Sequence, residues 1–286
     1  MAWPLKVRAN NLQNPWEKRM PVELKEILRN NVKEKMARGE VVSSMTVRLV
    51  RQVEIVRIAK TAGFDTIYID LEHSSLSLDA TGQICLMALE AGIAPFIRVP
   101  AKTPEYISRA LDGGALGVIA PDVRSAEEAR AVVAAAKYAP LGQRGIGGGL
   151  PHLQYRSFPA KDWLPAMNAA TMVVVQFESA EAVERAEEII AVEGVDMVLI
   201  GTNDMMADMG IAGQFDHPRV REAYERALAA CRRHGKYLGV GGLSSRDDLV
   251  AEFVRMGARY VSTGTDVGFL LAEATKRARQ VNEIAP

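Results

Sequence analysis

The feature that most constrains the fold of this 286-residue chain is a regular alternation of short, apolar, β-branched runs with longer amphipathic ones. Eight of the short runs are typical of strands. The predicted strands are Val41–Val47, Thr66–Asp70, Ala94–Val99, Gly117–Ala120, Met172–Phe177, Met197–Ile200, Leu238–Val240 and Tyr260–Ser262. Eight strands alternating with helices over about 250 residues predict an α/β protein of the closed (β/α)8 TIM barrel type. An open, doubly wound sheet is the alternative.

Helical patterns fill the intervals between these strands. They cover Val22–Arg38, Val53–Ala62, Leu78–Ala91, Pro104–Leu111, Ser125–Tyr138, Ser179–Glu193, Pro218–His234, Ser245–Met256 and Asp266–Asn282. Glycines such as Gly63, Gly92 and Gly257 stand just after a helix, where a left-handed residue leads the chain into the next strand. No low-complexity linker interrupts the pattern. We therefore predict one barrel domain over residues 22–286, preceded by an irregular arm at residues 1–21.

The composition excludes several classes of partner. Lys and Arg number 35 and so do Asp and Glu, so the chain has no excess of basic charge for nucleic acid or an anionic membrane. No apolar run reaches the length of a membrane span or resembles a signal peptide. The two cysteines, Cys85 and Cys231, lie in apolar helical patterns and are expected to be buried and reduced. These features predict a cytoplasmic protein that acts on a small molecule.

Two neighbouring predicted strands each end near a carboxylate in otherwise apolar surroundings. Glu178 directly follows one strand, and Asp204 lies a few residues after the next. The carboxyl ends of parallel strands meet at one edge, so the two side chains are expected to lie close together. Two such carboxylates repel each other unless a cation separates them, and their oxygens suit a hard divalent ion. The alternative for either residue is a helix-capping role.

The second strand ends in the segment with the most ionisable side chains, which holds Asp70, Glu72 and His73. A carboxylate that orients an imidazole makes an acid/base pair that works near neutral pH, so we expect Asp70 to orient His73. A structural role for His73 is the alternative. The remaining histidines are expected to be solvated; they are His152, His217 and His234.

Three further features belong to predicted loops and strand ends. Arg98 is a cation in an apolar strand and must find an anion, either a protein carboxylate in a structural ion pair or a bound oxyanion. The glycine-rich segment 143–149 precedes no helix immediately, so it is not a dinucleotide-binding turn; it is either a cover over the barrel mouth or a plain loop. Segment 201–204 opens a short helical turn whose amides are suited to a substrate carboxylate.

At these residues the sequence resembles the HpcH/HpaI aldolase family of metal-dependent class II pyruvate aldolases, which includes 4-hydroxy-2-oxoheptanedioate aldolase. The resemblance extends over roughly residues 40–275, in family order. The matching segments are Phe64–His73, Ile97–Pro100, Leu111–Ala115, Gln143–Gly145, Gln176–Glu178 and Gly201–Asp204. The chain differs from the family in two places. It has Gly201-Thr-Asn-Asp-Met205 where the family commonly has Gly-Pro-x-Asp-Leu, and its arm before Val22 is longer.

The resemblance implies a (β/α)8 barrel with Mg2+, Mn2+ or Co2+ held by Glu178 and Asp204, and pyruvate bound through its carboxylate and keto oxygen. It implies catalytic roles for His73 with Asp70 and for Arg98. The substrate-binding residues that it implies are Gln176, Thr202, Asn203 and Arg144. It also implies a homo-oligomer, a hexamer built from two trimers, in which Asp112 reaches a neighbouring subunit's site and the last helix is exchanged.

The implied reaction is the reversible cleavage of a 4-hydroxy-2-oxo acid to pyruvate and an aldehyde. The loops at residues 48–51 and 241–244 are expected to select the acceptor. The nearest alternative is a citramalyl or malyl lyase or an oxo-acid decarboxylase with the same chemistry, although no basic strip for coenzyme A phosphates is evident. A catalytically inactive binding protein is the alternative from another class.

Overall fold

Eight parallel strands close into a barrel in the computed structural model, which describes residues 23–284. Each strand pairs with its sequence neighbours, and the last pairs with the first. The strands are β1 Val42–Val47, β2 Thr66–Asp70, β3 Ala94–Arg98, β4 Gly117–Ala120, β5 Met172–Phe177, β6 Met197–Gly201, β7 Tyr237–Gly241 and β8 Tyr260–Thr265. The predicted (β/α)8 TIM barrel is confirmed, and the open sheet is excluded.

Thirteen α-helices accompany the strands in the described part of the chain. They are α1 Leu24–Ile27, α2 Asn31–Ala37, α3 Glu54–Thr61, α4 Leu78–Ala91, α5 Pro104–Asp112, α6 Ala126–Ala136, α7 Ala160–Ala170, α8 Ala180–Glu184, α9 Ala186–Ile190, α10 Thr202–Asp208, α11 Pro218–His234, α12 Asp247–Met256 and α13 Asp266–Asn282. Among residues 23–284, no helix is long and apolar enough to cross a membrane. The predicted arm at residues 1–21 lies outside the described residues.

The first predicted helix is divided in two by Asn30. This residue has an extended backbone (φ −120°, ψ 96°), and its side-chain oxygen accepts the N–H groups of Val32 and Lys33. Its amide nitrogen donates to the carbonyls of Leu116 and Ala170. An asparagine that caps one helix and anchors it to two other segments competes with continuation of the helix. The prediction of one helix over Val22–Arg38 was therefore wrong.

Two other helical predictions also differ from the structure. The helix predicted over Ser179–Glu193 consists of α8 and α9, which meet at Arg185. Helix α7 was not predicted, because Pro165 interrupts its pattern. It is nevertheless stable in the fold because Trp163 packs edge-on against Tyr138, with ring centroids 5.2 Å apart.

The side chains of each strand alternate between two apolar layers, and this alternation positions the site. Ile67 and Ile69 face the layer between sheet and helices, whereas Tyr68, Phe96 and Leu199 fill the barrel interior. Because the side-chain period of a strand is two residues, the interior positions continue to the carboxyl-terminal mouth. The interior-facing residues that follow at the mouth are Arg48, Asp70, Arg98, Gln176, Glu178 and Gly201.

Candidate active site

A cavity of about 200 Å³ opens at the carboxyl-terminal mouth of the barrel. Predicted site residues that line it are His73, Arg98, Gln176, Asn203 and Asp204. The two loops that were expected to select the acceptor also reach it, through Arg48 on one side and Gly242 and Ser244 on the other. The structure therefore brings five of the ten predicted site residues to the wall of this cavity.

Asp70 is the centre of the ion-pair network beneath this cavity. It is fully buried, and Arg98 binds it in a bidentate manner, with Nε 2.9 Å from Oδ1 and Nη2 2.7 Å from Oδ2. The Nε of Arg48 donates to Oδ2 at 2.6 Å. Burial raises the pKa of Asp70, but the two guanidinium groups outweigh it, so the pKa is lowered and the carboxylate stays charged. The anion expected for Arg98 is thus a protein carboxylate.

Asp70 does not orient the imidazole of His73, and this prediction was wrong. Its Oδ1 accepts the backbone N–H groups of Glu72 and His73, at 3.1 and 3.2 Å. The carboxylate therefore fixes the turn that carries the histidine. The ring itself faces Glu72, whose Oε2 lies 3.8 Å from Nε2 of His73 and 2.8 Å from Nη1 of Arg98. Glu72, and not Asp70, is therefore the carboxylate that lies beside the imidazole of His73.

Glu178 is a buried carboxylate held from two sides. Its Oε2 accepts the backbone N–H of Asp122 at 2.9 Å, and its Oε1 lies 3.7 Å from Nη1 of Arg98. Burial raises the pKa of Glu178 to about 7, and the nearby charges of Glu72 and Asp204 add to this effect. A cation bound next to Glu178 would stabilise its ionised form.

The donor set at this position fits a hard divalent metal ion. Glu178 and Asp204 supply carboxylate oxygens, and the buried Oε1 of Gln176 has no hydrogen-bond partner among residues 23–284. Space is kept by Gly201, since a Cβ there would lie 2.8 Å from both Cγ and Oε1 of Glu178. No cluster of three or more His, Cys, Asp or Glu ligands occurs in the described part of the chain.

The turn after β6 differs in part from the expectation. Asn203 and Asp204 line the cavity at the start of α10, as predicted for this short helical turn. Thr202 is fully buried, and its hydroxyl contacts the Tyr224 hydroxyl at 2.8 Å and the Gly241 carbonyl at 2.6 Å. The side chain of Thr202 therefore stabilises the turn, and only its backbone is left for a substrate.

Asp112 and Arg144 lie away from the mouth cavity of their own chain. They pair with each other, with Nη2 of Arg144 2.6 Å from Oδ1 of Asp112. Asp112 lines a depression on the outer flank of the barrel, together with Gly82, Gly149 and Tyr155. The glycine-rich segment therefore does not cover the mouth of its own barrel. Any contact of this pair with a substrate requires a second subunit.

His152 also departs from the expectation that it is solvated. It is 2% exposed, and its Nε2 lies 2.9 Å from the carbonyl oxygen of Ala115. Burial lowers its pKa to about 4. It is a neutral structural histidine on the outer flank, next to the segment that carries Arg144.

Four residues of the site were given no individual role from the sequence, although Arg48 and Gly201 belong to segments that were expected to contact the substrate. Arg48 and Glu72 are charged and adjoin strand ends, which is the signal that could have identified them. Gly201 and Asp122 act through the backbone: the first by its lack of a side chain, the second through its N–H in a left-handed conformation (φ 46°). The residue type gives little indication of such roles.

The family model described as HpcH/HpaI aldolase/citrate lyase matches residues 48–272. A 4-hydroxy-4-methyl-2-oxoglutarate aldolase of Hapsidospora irregularis is 40% identical over 258 residues, which cover 89% of this chain and 96% of that protein. A 4-hydroxy-2-oxo-heptane-1,7-dioate aldolase of Escherichia coli is 37% identical over 219 residues, covering 74% of this chain and 80% of that protein. The crystal structure of an HpcH/HpaI aldolase from Desulfitobacterium hafniense superposes with a TM-score of 0.82 at 33% identity, covering 89% of this chain and 97% of that one. The chain belongs to the HpcH/HpaI aldolase/citrate lyase family.

Proposed function

We propose that this protein is a class II pyruvate aldolase that reversibly cleaves a 4-hydroxy-2-oxo acid to pyruvate and a second carbonyl compound. The observation that carries the proposal is a cavity sized for small molecules that is lined by Arg98, Gln176 and Asp204. The buried Glu178 lies next to it, with its Oε1 3.7 Å from Nη1 of Arg98. The relatives from Hapsidospora irregularis and Escherichia coli are both named for aldolases of 4-hydroxy-2-oxo acids. The carbon-carbon lyase class follows from this family and this site.

The divalent metal belongs to the proposal. Glu178 and Asp204 would hold Mg2+, Mn2+ or Co2+, and the ion would supply Lewis-acid polarisation of the keto group when bound. The backbone amides at Asn203 and Asp204, at the start of α10, would bind the substrate carboxylate. Gln176 offers its unpartnered Oε1 to the same cavity.

Arg98 and His73 have the two remaining chemical tasks. Cleavage breaks the C3–C4 bond: the C4 hydroxyl loses its proton as the new carbonyl forms, and C3 gains a proton to become the methyl group of pyruvate. The Arg98 guanidinium, fixed by Asp70 and Glu72, stabilises the negative charge that develops on the keto oxygen. His73 lines the cavity with its side chain 53% exposed, so its Nε2 can carry the proton.

We also propose that the active assembly is a homo-oligomer, a hexamer built from trimers. Of the residues of α13, only Asp266 is buried. The helix exposes apolar side chains, including Leu270 at 61% and Leu271 at 65%. An apolar helix face that finds no cover on its own barrel supports exchange of this helix between subunits. The flank that carries Asp112 and Arg144 would then face a neighbouring mouth.

A cytoplasmic location is the remaining part of the proposal. Cys85 and Cys231 are both buried free thiols, which suits a reducing compartment. The acyl-coenzyme A lyases of the family remain the competing activity, and malyl-CoA is the substrate that tests it.

Proton NMR of pyruvate in D2O tests the proposal before any acceptor is known. We expect Mg2+-dependent loss of the methyl signal, because the site makes the methyl protons exchangeable, and no loss in the presence of a chelator. For Mn2+ and Co2+ the metal is removed before the spectrum is recorded. Absence of exchange with all three metals, together with cleavage of malyl-CoA, would contradict the pyruvate aldolase assignment.

The variant Glu178→Gln tests the metal ligand in the same assay. We expect exchange to fall about 100-fold or more, because a neutral amide replaces a carboxylate ligand, while the fold is retained. Glu184→Gln, at an exposed carboxylate on α8, is the matched control and should exchange at the wild-type rate. Full exchange in Glu178→Gln would mean that Glu178 is not a ligand.

A further inference from the structure

Arg98 is surrounded by carboxylates, although the proposed reaction needs its positive charge. Asp70 accepts from Nε and Nη2 of Arg98 at 2.9 and 2.7 Å. Oε2 of Glu72 lies 2.8 Å from Nη1 of Arg98, and Oε1 of Glu178 lies 3.7 Å from the same atom. One guanidinium therefore faces three carboxylates, and Arg98, Asp70 and Glu178 are all buried. This excess of negative charge opposes further negative charge on a nearby substrate oxygen.

Arg48 supplies a second positive charge to the same group of side chains. Its Nε donates to Oδ2 of Asp70 at 2.6 Å, and this oxygen also accepts from Nη2 of Arg98. One carboxylate oxygen is thus shared by two guanidinium groups. Arg98 alone contacts both oxygens of Asp70, so the ion pair is complete without Arg48. The contribution of Arg48 is therefore its charge, which offsets one of the three carboxylates around Arg98.

The fold fixes Arg48 in this position through its backbone, which is bound by Asp266. The two oxygens of this buried carboxylate accept the N–H groups of Arg48, Leu49 and Val50 at 3.0, 2.9 and 2.8 Å. The loop after β1 is thereby tied to the first residue of α13. Two guanidinium groups on one carboxylate repel each other, and a loop with a fixed backbone opposes their separation. Arg48 is thus held next to Asp70 before any substrate binds.

The charge of Arg48 is expected to act most strongly when the cavity is filled. Arg48 and Arg98 both line the cavity, and the side chain of Arg48 is 36% exposed. Water in the open cavity screens the charge of Arg48. A substrate that displaces this water strengthens the interaction of Arg48 with the charges around Arg98. The effect is largest in the step in which the substrate itself gains negative charge.

We infer that Arg48 is a positioning residue for formation of the pyruvate enolate: it acts through Asp70 and leaves the guanidinium of Arg98 available to the developing negative charge. This inference rests on the proposed aldolase function and adds a residue to its charge-stabilising group. In the step, a C–H bond of the methyl group breaks, the proton goes to His73, and the electron pair moves to the keto oxygen. Loss of Arg48 should therefore affect the transition state more than bound pyruvate.

Exchange of the pyruvate methyl protons in D2O with Mg2+, measured at several pyruvate concentrations, gives kcat and KM for enolate formation. We expect Arg48→Met to lower kcat about 10- to 100-fold and to change KM by at most about threefold. Arg48→Lys retains the charge and should recover part of kcat. Arg57→Met is the matched control, because Arg57 is an exposed arginine on α3 outside the cavity; it should exchange at the wild-type rate.

Binding of oxalate gives a second measurement that does not depend on turnover. Oxalate resembles the enolate of pyruvate, because it carries a second negative charge where pyruvate has its neutral keto group. Isothermal titration calorimetry of the Mg2+-loaded protein measures the Kd of each ligand. We expect Arg48→Met to weaken oxalate binding about tenfold or more relative to pyruvate binding.

The two measurements separate a charge effect from a structural one. The inference is overturned if Arg48→Met keeps the kcat of the wild type, or if its ratio of oxalate to pyruvate affinity is unchanged. A loss of kcat that Arg48→Lys does not recover in part would indicate a structural defect and would also contradict the inference. If the wild-type protein itself shows no metal-dependent exchange of pyruvate, the proposed function fails before any variant is compared.

Discussion

At the scale of single residues, the environment of Glu178 favours the binding of a cation next to its carboxylate. Its pKa is raised to about 7, above the ordinary value of 4.5, because burial and nearby carboxylates disfavour the charged form. Ionisation of Glu178 in the folded protein therefore lowers the free energy of unfolding. This loss grows as the pH rises from 4.5 through about 7. A cation between Glu178 and Asp204 removes the repulsion. If Glu178 and Asp204 hold a divalent metal ion as proposed, added Mg2+ is expected to raise the stability of the protein at neutral pH.

His152 gives a prediction for pH dependence that is independent of the active site. Its pKa is lowered from 6.5 to about 4 by burial, so the folded protein holds it neutral. Its contribution to stability is complete above pH 6.5 and is lost as pH falls towards 4, by up to about 3 kcal/mol. His152→Gln can still donate to the Ala115 carbonyl but cannot become charged. In urea unfolding at several pH values, the free energy of unfolding of this variant should decrease less than that of the wild type between pH 6.5 and 4.

The control for this prediction is His217→Gln, at a partly exposed histidine. This variant should retain the pH dependence of the wild type. If His152→Gln and wild type lose stability in parallel below pH 6.5, the buried histidine is not the cause of the acid sensitivity.

At the scale of elements, the approach of β5 and β6 depends on a missing side chain. A Cβ at Gly201 would lie 2.8 Å from Cγ and Oε1 of Glu178 and 2.9 Å from Nε2 of Gln176. Both neighbouring side chains are buried, so Gly201→Ala must displace them. We expect a loss of about tenfold or more in apparent Mg2+ affinity, with ~1–3 kcal/mol of overpacking cost. The Mg2+ dependence of pyruvate exchange measures the apparent Mg2+ affinity, and urea unfolding measures the loss of stability.

Gly147→Ala provides the comparison, because a Cβ at Gly147 meets no atom within 4 Å. It should change neither the Mg2+ dependence nor the unfolding midpoint by a comparable amount. A Gly201→Ala protein with wild-type Mg2+ dependence would show that Glu178 and Gln176 can move without cost to the metal site.

The elements also show what the sequence could and could not predict. Strands such as Met172–Phe177 were predicted with their observed bounds, because a buried parallel strand is a continuous apolar run. The helix break at Asn30 depends on hydrogen bonds to Leu116 and Ala170, which are remote in sequence. Helix α7 depends on tertiary packing of Trp163 despite Pro165. Local patterns contain neither kind of information.

The same distinction applies to the site. Arg98, His73 and Asp204 were predicted to meet at the mouth of the barrel because each lies at or just after the carboxyl end of a strand. The carboxyl ends of parallel strands lie at the same end of the barrel. The partner of His73 was assigned incorrectly, because Asp70 and Glu72 are both within reach in sequence and only the fold decides which faces the ring. The pairing of Asp112 with Arg144 likewise depends on packing across the outer flank.

At the scale of the whole molecule, α13 connects the site to the assembly. Its first residue, Asp266, holds the loop that carries Arg48, while its later residues expose an apolar face. Phe269 contacts Phe64 of the same chain, with ring centroids 6.0 Å apart, so the helix is anchored at its start only. The loop after β1 at the mouth is therefore held by a helix whose remaining length is exposed on its own barrel.

The double variant Leu270→Glu/Leu271→Glu tests whether that apolar face forms the subunit interface. Burial of each leucine contributes about 1.5–3 kcal/mol, and buried glutamates without partners cost more, so the hexamer should dissociate. Light scattering after size-exclusion chromatography measures the mass. Ala272→Glu/Lys276→Glu adds charge to the opposite face of the same exposed helix and should leave the hexamer intact. If the Leu270→Glu/Leu271→Glu protein instead keeps the mass of the wild type, the apolar face of α13 lies outside the subunit interface.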